Sequence, residues 1–151
     1  GLLYIASVAS VYRQAIDRYA AEGEFSPQEL NQWMEELSGT ATRPFTSGFM
    51  EGDSSLLQDY NKEEKQQRAD FCGIVQGYHH DKNMLQIEQR ANFGPGDPLQ
   101  LMLPGGKIIP LDLKELYDEE FTPIDRARHA RQTVYTPYPE PLSQYTILRR
   151  C

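Results

Sequence analysis

The chain contains little cysteine and no long apolar segment. Cys72 and Cys151 are its only thiols, too few for the disulfide framework that stabilises many small secreted domains. None of its apolar runs approaches the roughly 20 residues that a membrane helix needs, and no stretch has the pattern of a signal peptide. These absences predict a cytoplasmic protein that has no membrane partner.

Basic side chains are scarce relative to acidic ones. The chain has 15 lysines and arginines against 22 aspartates and glutamates, which gives a net charge of -7. Nonspecific affinity for nucleic acids comes mainly from Lys and Arg side chains that neutralise phosphates. The composition therefore argues against a protein that coats RNA, and DNA is not expected as a partner, but a local basic site remains compatible with it.

The GGK sequence at 105–107 lacks the surroundings of a phosphate-binding loop. Such a loop joins a strand to a helix and usually has Ser or Thr after the lysine, whereas Ile-Ile-Pro follows Lys107. The alternate leucines of residues 99–103 would share one face of a strand, and the Pro-Gly pair at 104–105 suits the centre of a type II turn. We therefore predict a strand and a hairpin turn here.

Residues 1–49 are predicted to be helical with a turn. Apolar residues recur at helical spacing in the first twenty residues and predict an amphipathic helix. The residues of its apolar face are Tyr4, Val8, Val11, Ala15 and Tyr19.

The second helix has clear start and stop signals. Ser26 and Glu29 have the spacing of a capping box, Pro27 stands at the first helical position, and Gly39 is a stop. Phe25 and Leu30 are placed for a hydrophobic staple, and one face is lined by Leu30, Trp33, Met34 and Leu37. Trp33 is interpreted as a packing residue.

The hydrophobic period changes after a polar segment. Residues 50–69 are charged and poor in packing residues, which predicts a linker or mobile loop. Short apolar runs separated by turn residues then follow, at 71–78, 83–89, 98–103, 107–113, 121–124, 132–135 and 146–148. Such spacing predicts a small antiparallel barrel or sandwich over residues 70–151. The LKELYDEE sequence at 113–120 has some helical spacing, but we interpret it as a strand end and a turn.

Cys72 with His79 or His80 is the combination to consider for nucleophilic catalysis. A catalytic thiol needs a neighbouring cation and an oriented base. Strand alternation would place Cys72 on one face with Ile74 and Gln76, whereas the histidines belong to a hydrophilic turn. The three residues also lack the spacing of a zinc site. We therefore predict a buried structural thiol, with no catalytic residue, no metal ligand and no cofactor in this chain.

The densest positive patch contains Arg126, Arg128, His129 and Arg131. Alternation would place Arg126 and Arg128 on one face of an extended segment, where they could bind phosphate or an acidic protein surface. Acidic residues at 119, 120 and 125 could equally pair with these side chains, and the ion-paired interpretation is favoured. The patch supplies the candidate substrate or RNA contacts Arg126, Arg128 and Arg131.

The RPFTSGF sequence at 43–49 predicts an ordered turn that packs against a neighbouring surface. Arg43 is a further candidate for substrate contact, because this segment would lie where a preceding domain meets this one.

Several segments, taken in order, resemble one known family. They are LYIASVASVYRQAID, RPFTSGF, FCGIVQGY, RANFGPGDPLQLMLPGG and ILRR. Together they resemble the C-terminal region of the collagenase-like peptidases of family U32. The resemblance implies a small antiparallel β-barrel similar to domain II of elongation factor Tu, preceded by two helices. It also implies a larger N-terminal domain with the family's cysteines and chemistry, so we expect this chain to be a fragment of a longer protein.

Members of that family are described as proteases, some as collagenases, and others are linked to hydroxylation of a tRNA wobble uridine or a ribosomal RNA base. We therefore expect a noncatalytic accessory domain that positions a substrate for the missing N-terminal domain, with RNA as a further partner. The parent protein would be an enzyme, whereas this fragment alone would be inactive. The alternatives are a structural or oligomerisation module and, third, a self-sufficient cysteine hydrolase that uses Cys72.

Overall fold

The computed structural model describes residues 1–41 and 69–150. The RPFTSGF segment, and the predicted linker apart from Ala69, lie outside these residues. Two helices come first: α1 spans Leu2–Glu22 and α2 spans Pro27–Thr40. Neither of these helices combines the length and the apolar content that crossing a membrane requires.

The start signals of α2 are confirmed. The Ser26 hydroxyl accepts the N–H of Glu29 at 3.2 Å, and the Glu29 carboxylate accepts the N–H of Ser26 at 2.8 Å. The rings of Phe25 and Trp33 pack edge to face with centroids 5.3 Å apart, in agreement with a packing role for Trp33. The helix continues through the predicted stop at Gly39 to Thr40.

Six antiparallel strands follow the helices. They are β1 Asp70–His79, β2 Met84–Gln89, β3 Leu99–Met102, β4 Ile108–Leu111, β5 Thr133–Pro137 and β6 Ile147–Arg150. They form one sheet in the order β4-β3-β6-β1-β2-β5. The mainly β fold with two preceding helices is therefore confirmed. Within residues 69–150, however, the edge strands β4 and β5 do not pair with each other, so the pairing does not close and the barrel is not confirmed.

The strand and turn predicted around residues 99–106 are both present. Leu99 and Leu101 are buried in the main core, and Leu103 packs against it. The N–H of Gly106 donates to the carbonyl of Leu103 at 2.9 Å, and Gly105 has a φ of 90°. This is the type II geometry that a Pro-Gly pair favours.

β1 departs from regular alternation at Cys72. Between Phe71 and Gly73 it has one residue more than the facing segment of β6, which makes a β-bulge. Cys72 consequently packs in the main core with Val75. The prediction that it shares a face with residues 74 and 76 was wrong, because the bulge shifts the alternation.

Two predictions concern the connection between β4 and β5. The strand end and turn predicted at 113–120 agree with the structure, whereas the strand predicted at 121–124 does not. Residues 113–120 are not helical, and Tyr117 exchanges backbone hydrogen bonds of 2.9 and 2.8 Å with Tyr135 of β5, as expected for a strand end. The run at 121–124 is not a strand. The Asp118 carboxylate instead accepts the N–H groups of Glu120 and Thr122, both at 2.9 Å, and closes a turn.

The apolar face predicted for α1 is only partly buried. The helix buries Leu3, Ser7 and Val11, whereas Tyr4 and Tyr19 of the predicted face are 41% and 59% exposed. Val11 of that face is buried and Val8 and Ala15 are half-buried, so the prediction holds for the middle of the face and was wrong for its two tyrosines.

Close packing explains this orientation of α1. A Cβ atom placed on Gly106, in the turn between β3 and β4, would lie 2.6 Å from the Cβ of Ser10 and 2.5 Å from Nε2 of Gln14. Only a side of the helix with small or flexible side chains fits against that turn. On α2, Leu30 and Met34 are likewise exposed.

A buried ion pair joins the helices to the sheet. Arg149 of β6 donates to the two carboxylate oxygens of Glu36 on α2 at 2.6 and 2.9 Å, and the Ser7 hydroxyl of α1 donates to the same carboxylate at 2.7 Å. Burial opposes ionisation of Glu36, but the hydrogen bonds from Arg149 and Ser7 outweigh it and lower the pKa of Glu36. Glu36 thereby connects both helices to one strand.

Candidate functional site

Five arginines gather at one end of the sheet and form the arginine cluster: Arg90, Arg126, Arg128, Arg131 and Arg150. Arg90 follows β2, and Arg150 ends β6 opposite the first residue of β1. The segment 126–131 is attached to the same end by two backbone hydrogen bonds, which join residues 127 to 93 at 2.8 Å and 131 to 89 at 3.1 Å. Antiparallel pairing thus collects arginines that are up to 60 positions apart in the sequence.

Asp97 organises half of the cluster. Arg126 donates to its carboxylate at 2.7 and 3.3 Å, and Arg150 donates to the same carboxylate at 3.3 Å and to Asp70 at 2.9 Å. Asn92 accepts a further hydrogen bond from Arg126 at 2.6 Å. Burial opposes the charge of Asp97, but Arg126, the N–H of residue 94 and Arg150 outweigh it and lower its pKa.

The loop that carries Asp97 needs a glycine at position 94. The N–H of Gly94 donates to the Asp97 carboxylate at 3.2 Å. A Cβ atom on Gly94 would lie 2.5 Å from the carbonyl oxygen of Asp125 and 2.8 Å from Cγ of Arg126. Only glycine allows the two segments to approach this closely.

Arg128 and Arg131 are exposed cations of the cluster, as is Arg90. Ala127 is fully buried, so Arg126 and Arg128 on either side of it lie toward the opposite side of the segment, as alternation predicted. Arg128 pairs with Asp125, and both side chains are largely exposed. Arg131 forms no ion pair with any side chain in residues 1–41 and 69–150, and its backbone has a positive φ of 61°.

The cluster is a positive region in an acidic chain. Its arginines pair with four carboxylates, Glu88, Asp70, Asp97 and Asp125, which leaves one positive charge in excess. The whole chain has a net charge of -7. An anionic ligand is therefore repelled less at this end of the sheet than the net charge of the chain would suggest.

Sequence reasoning identified three members of the cluster and missed two. Arg90 and Arg150 were missed because strand pairing, and not proximity in sequence, brings them to the patch. Ion pairing was predicted for Arg126 and Arg128, but Asp97 was missed as the partner of Arg126. The signal available in the sequence was the pair of glycines, Gly94 and Gly96, just before Asp97. Arg43 lies outside the described residues.

Cys72 is not arranged as a nucleophile. Its side chain is fully buried, and burial raises the pKa of the thiol to about 11. His79 ends the same strand seven residues later, about 23 Å away at the rise of an extended chain. Its ring packs edge to face on Phe121 at 5.1 Å. This fold therefore does not join Cys72 and His79 as a catalytic pair.

His80 begins a short 3-10 helix, His80–Lys82, that connects β1 and β2, and its ring packs against Tyr78. No three His, Cys, Asp or Glu side chains of residues 1–41 and 69–150 come together as a metal site.

Comparison with known proteins gives relatives with a shared name. The chain is 34% identical over 133 residues to "tRNA hydroxylation protein P1" of Bacillus subtilis, covering 87% of this chain and 31% of that protein. It is 33% identical over 153 aligned positions to "tRNA hydroxylation protein P" of Escherichia coli, covering 97% of this chain and 32% of that protein. The chain thus spans about a third of the length of these curated relatives.

A solved structure and two family models also match. The crystal structure of the C-terminal domain of a Geobacillus thermoleovorans protein assigned to the U32 peptidases is 29% identical, with a TM-score of 0.49, and the match covers 54% of this chain and 92% of that one. The model of "Peptidase family U32" matches residues 2–59, and that of "Peptidase family U32 C-terminal domain" matches residues 67–149. The chain therefore belongs to peptidase family U32 and contains the C-terminal domain of that family.

Proposed function

We propose that this chain is a noncatalytic accessory region of a longer cytoplasmic enzyme of family U32 and that it holds RNA through the arginine cluster. The observation that carries this proposal is the cluster itself, a positive end on a sheet that belongs to an acidic chain. The names of the relatives identify tRNA as the RNA to test first.

The chemistry of the cluster suits a phosphate backbone. A guanidinium group presents a planar set of donors that matches two phosphate oxygens. Arg131 has no competing ion pair among the described residues, and the exposed pair of Arg128 with Asp125 contributes little to stability, so either arginine can take a phosphate as partner. Arg126 and Arg150 both donate to Asp97, which fixes their guanidinium groups beside the exposed arginines.

The accessory role is supported by the state of Cys72. A peptidase that used this thiol would need a thiolate, a base and donors for the oxyanion in one place. Cys72 is instead a buried thiol with a raised pKa. A collagenase-like or hydrolase activity, and the closed barrel of the elongation factor Tu type, stay predictions that follow from the resemblance.

Fluorescence anisotropy with labelled tRNA at several salt concentrations tests the proposal. About three phosphate contacts would give a log-log salt slope near -2 to -3. Changing Arg128 and Arg131 to Gln should weaken binding at every salt concentration and make the slope shallower by about 2. The matched control changes Lys107 and Lys114, which are exposed outside the cluster, to Gln and should alter binding little.

Two outcomes would contradict the RNA role. They are absence of binding at low salt, and binding that the arginine and lysine variants reduce equally. Either result would favour the alternative function, a structural or oligomerisation module.

A further inference from the structure

α1 exposes more large apolar side chains than it buries. Ile5, Tyr12, Ile16 and Tyr19 are 59–63% exposed and recur at helical spacing, so they form one stripe along the outer side of the helix. The buried side carries Leu3, Ser7 and Val11. A surface helix normally turns its apolar stripe toward the core, so a stripe on the outside indicates a surface that another body covers.

The outer stripe continues across the junction of the two helices. A shallow cavity of about 400 Å³ lies there, lined by Tyr12, Ala15, Ile16, Tyr19, Ala20 and Phe25. Phe25 packs on Tyr19 with ring centroids 5.7 Å apart. On α2, Leu30 and Met34 are 45% and 51% exposed. The apolar surface of α1 therefore extends to Phe25, and α2 also exposes apolar side chains.

The orientation of the stripe is held by contacts on the opposite side of α1. The Ser7 hydroxyl binds Glu36, and Ser10 and Gln14 pack against Gly106. Rotating the helix to bury Ile16 and Tyr19 would bring large side chains against a turn that has no room for a Cβ atom. The stripe thus cannot be buried against this chain's own sheet by a small adjustment.

We infer that this stripe, defined by Ile5, Tyr12, Ile16 and Tyr19, docks the part of the U32 peptidase domain that the relatives have beyond the third aligned with this chain. The family models carry the choice of partner: the helices fall within the peptidase model, residues 2–59, whereas the sheet falls within the C-terminal model, residues 67–149. The helices therefore belong by sequence to a larger domain whose apolar interior their outer stripe would complete.

This inference rests on the proposed function, because an accessory domain needs a surface for the domain that it serves. It uses different residues from the arginine cluster, so the two proposals fail separately. The tRNA titration reports on the arginines alone, and the docking experiment contains no RNA.

The experiment uses this chain and the unaligned two thirds of the Bacillus subtilis relative, produced as separate pieces. Isothermal titration calorimetry measures their association. If one piece folds only in the presence of its partner, coexpression followed by copurification tests the association instead. Tyr12→Gln with Ile16→Gln should weaken association at least tenfold, because buried apolar anchors dominate interface energies. Arg13→Gln, on the same helix but off the stripe, is the matched control and should leave the affinity unchanged.

Each outcome decides the inference. Association that the double variant weakens and the control does not would support it. Three results would overturn it: no association by either method, association that is indifferent to the double variant, or a homodimer of this chain by light scattering that the double variant dissociates. The last result would assign the stripe to a second copy. Circular dichroism should show the same helix content in all variants, since Gln is a good helix former.

Discussion

At the scale of single residues, burial decides what the thiol of Cys72 does. The residue is the extra member of a β-bulge and is fully buried, so ionisation would place a charge in an apolar core. The pKa of the thiol rises from an ordinary value of 9.0 to about 11. The folded chain therefore holds a proton that the unfolded chain releases at lower pH.

This difference predicts a dependence of stability on pH. Because the folded pKa is raised, the stabilisation is complete below pH 9 and is lost as the pH rises toward 11. Between pH 8 and pH 10.5 the unmodified chain should lose roughly 2 kcal/mol more of its free energy of unfolding than Cys72→Ala. Urea denaturation at several pH values measures this difference, and parallel pH profiles of the two proteins would contradict it.

Gly94 predicts a second effect at this scale. Gly94→Ala should lower the free energy of unfolding by roughly 1–3 kcal/mol, because the new Cβ would meet the backbone oxygen of Asp125 at 2.5 Å. Thermal and urea denaturation measure the change. Gly39→Ala is the control, since Gly39 lies in a helix and a Cβ atom there would meet nothing within 4 Å. It should be neutral or stabilising by up to about 1 kcal/mol.

At the scale of elements, turns and bulges decide which side of each element is buried. The β3–β4 turn follows from a Pro-Gly pair, and its close contact with Ser10 selects the side of α1 that faces the sheet. The bulge in β1 likewise selects Cys72 and Val75 for the core. The local backbone geometry of a turn or bulge therefore decides which side chains of its own strand, and of a helix distant in sequence, are buried.

The turn predicts a backbone effect that is separate from packing. Gly105 has a φ of 90°, and a Cβ there would meet nothing within 4 Å. Gly105→Ala should therefore cost about 1–2 kcal/mol through backbone strain alone. Gly105→Asn should cost less, because Asn tolerates the left-handed region better. Equal losses for the two variants in urea denaturation would contradict this account.

At the scale of the whole molecule, Glu36 and Arg149 connect the helices to the sheet. The Arg149 side chain is 6% exposed, so removing its counter-charge leaves a nearly buried cation. Glu36→Gln should lower the free energy of unfolding by roughly 3 kcal/mol. Lys114→Gln, which removes an exposed ion pair with Asp112, is the control and should change it by less than about 0.5 kcal/mol.

The same pair predicts sensitivity to acid. The pKa of Glu36 is lowered in the folded chain, so its stabilisation is complete above the ordinary value of 4.5 and is lost as the pH falls through the folded value. Glu36→Gln should lack this part of the acid sensitivity. A double variant that also carries Arg149→Met should lose less than the two single changes combined; additive losses would show that the pair does not couple helix and sheet.

Sequence by itself determined the features that depend on neighbouring residues. The capping box of α2, the type II turn at Pro104 and Gly105, the mainly β class and most strand positions follow from local conformational preferences and from the hydrophobic period. The family was also accessible from the order of short segments. Arg126, Arg128 and Arg131 were identified because they are close together in the chain.

Tertiary structure decided everything that depends on contacts between distant segments. Arg90 and Arg150 join the arginine cluster, and Asp97 meets Arg150, only because antiparallel pairing brings the ends of β1, β2 and β6 together. The side of α1 that is buried depends on steric contact with a turn about a hundred residues away in the sequence. The helical spacing of apolar residues carries no information about that contact. Hydrophobic spacing predicts that a face will be buried, but only the packed structure decides what buries it.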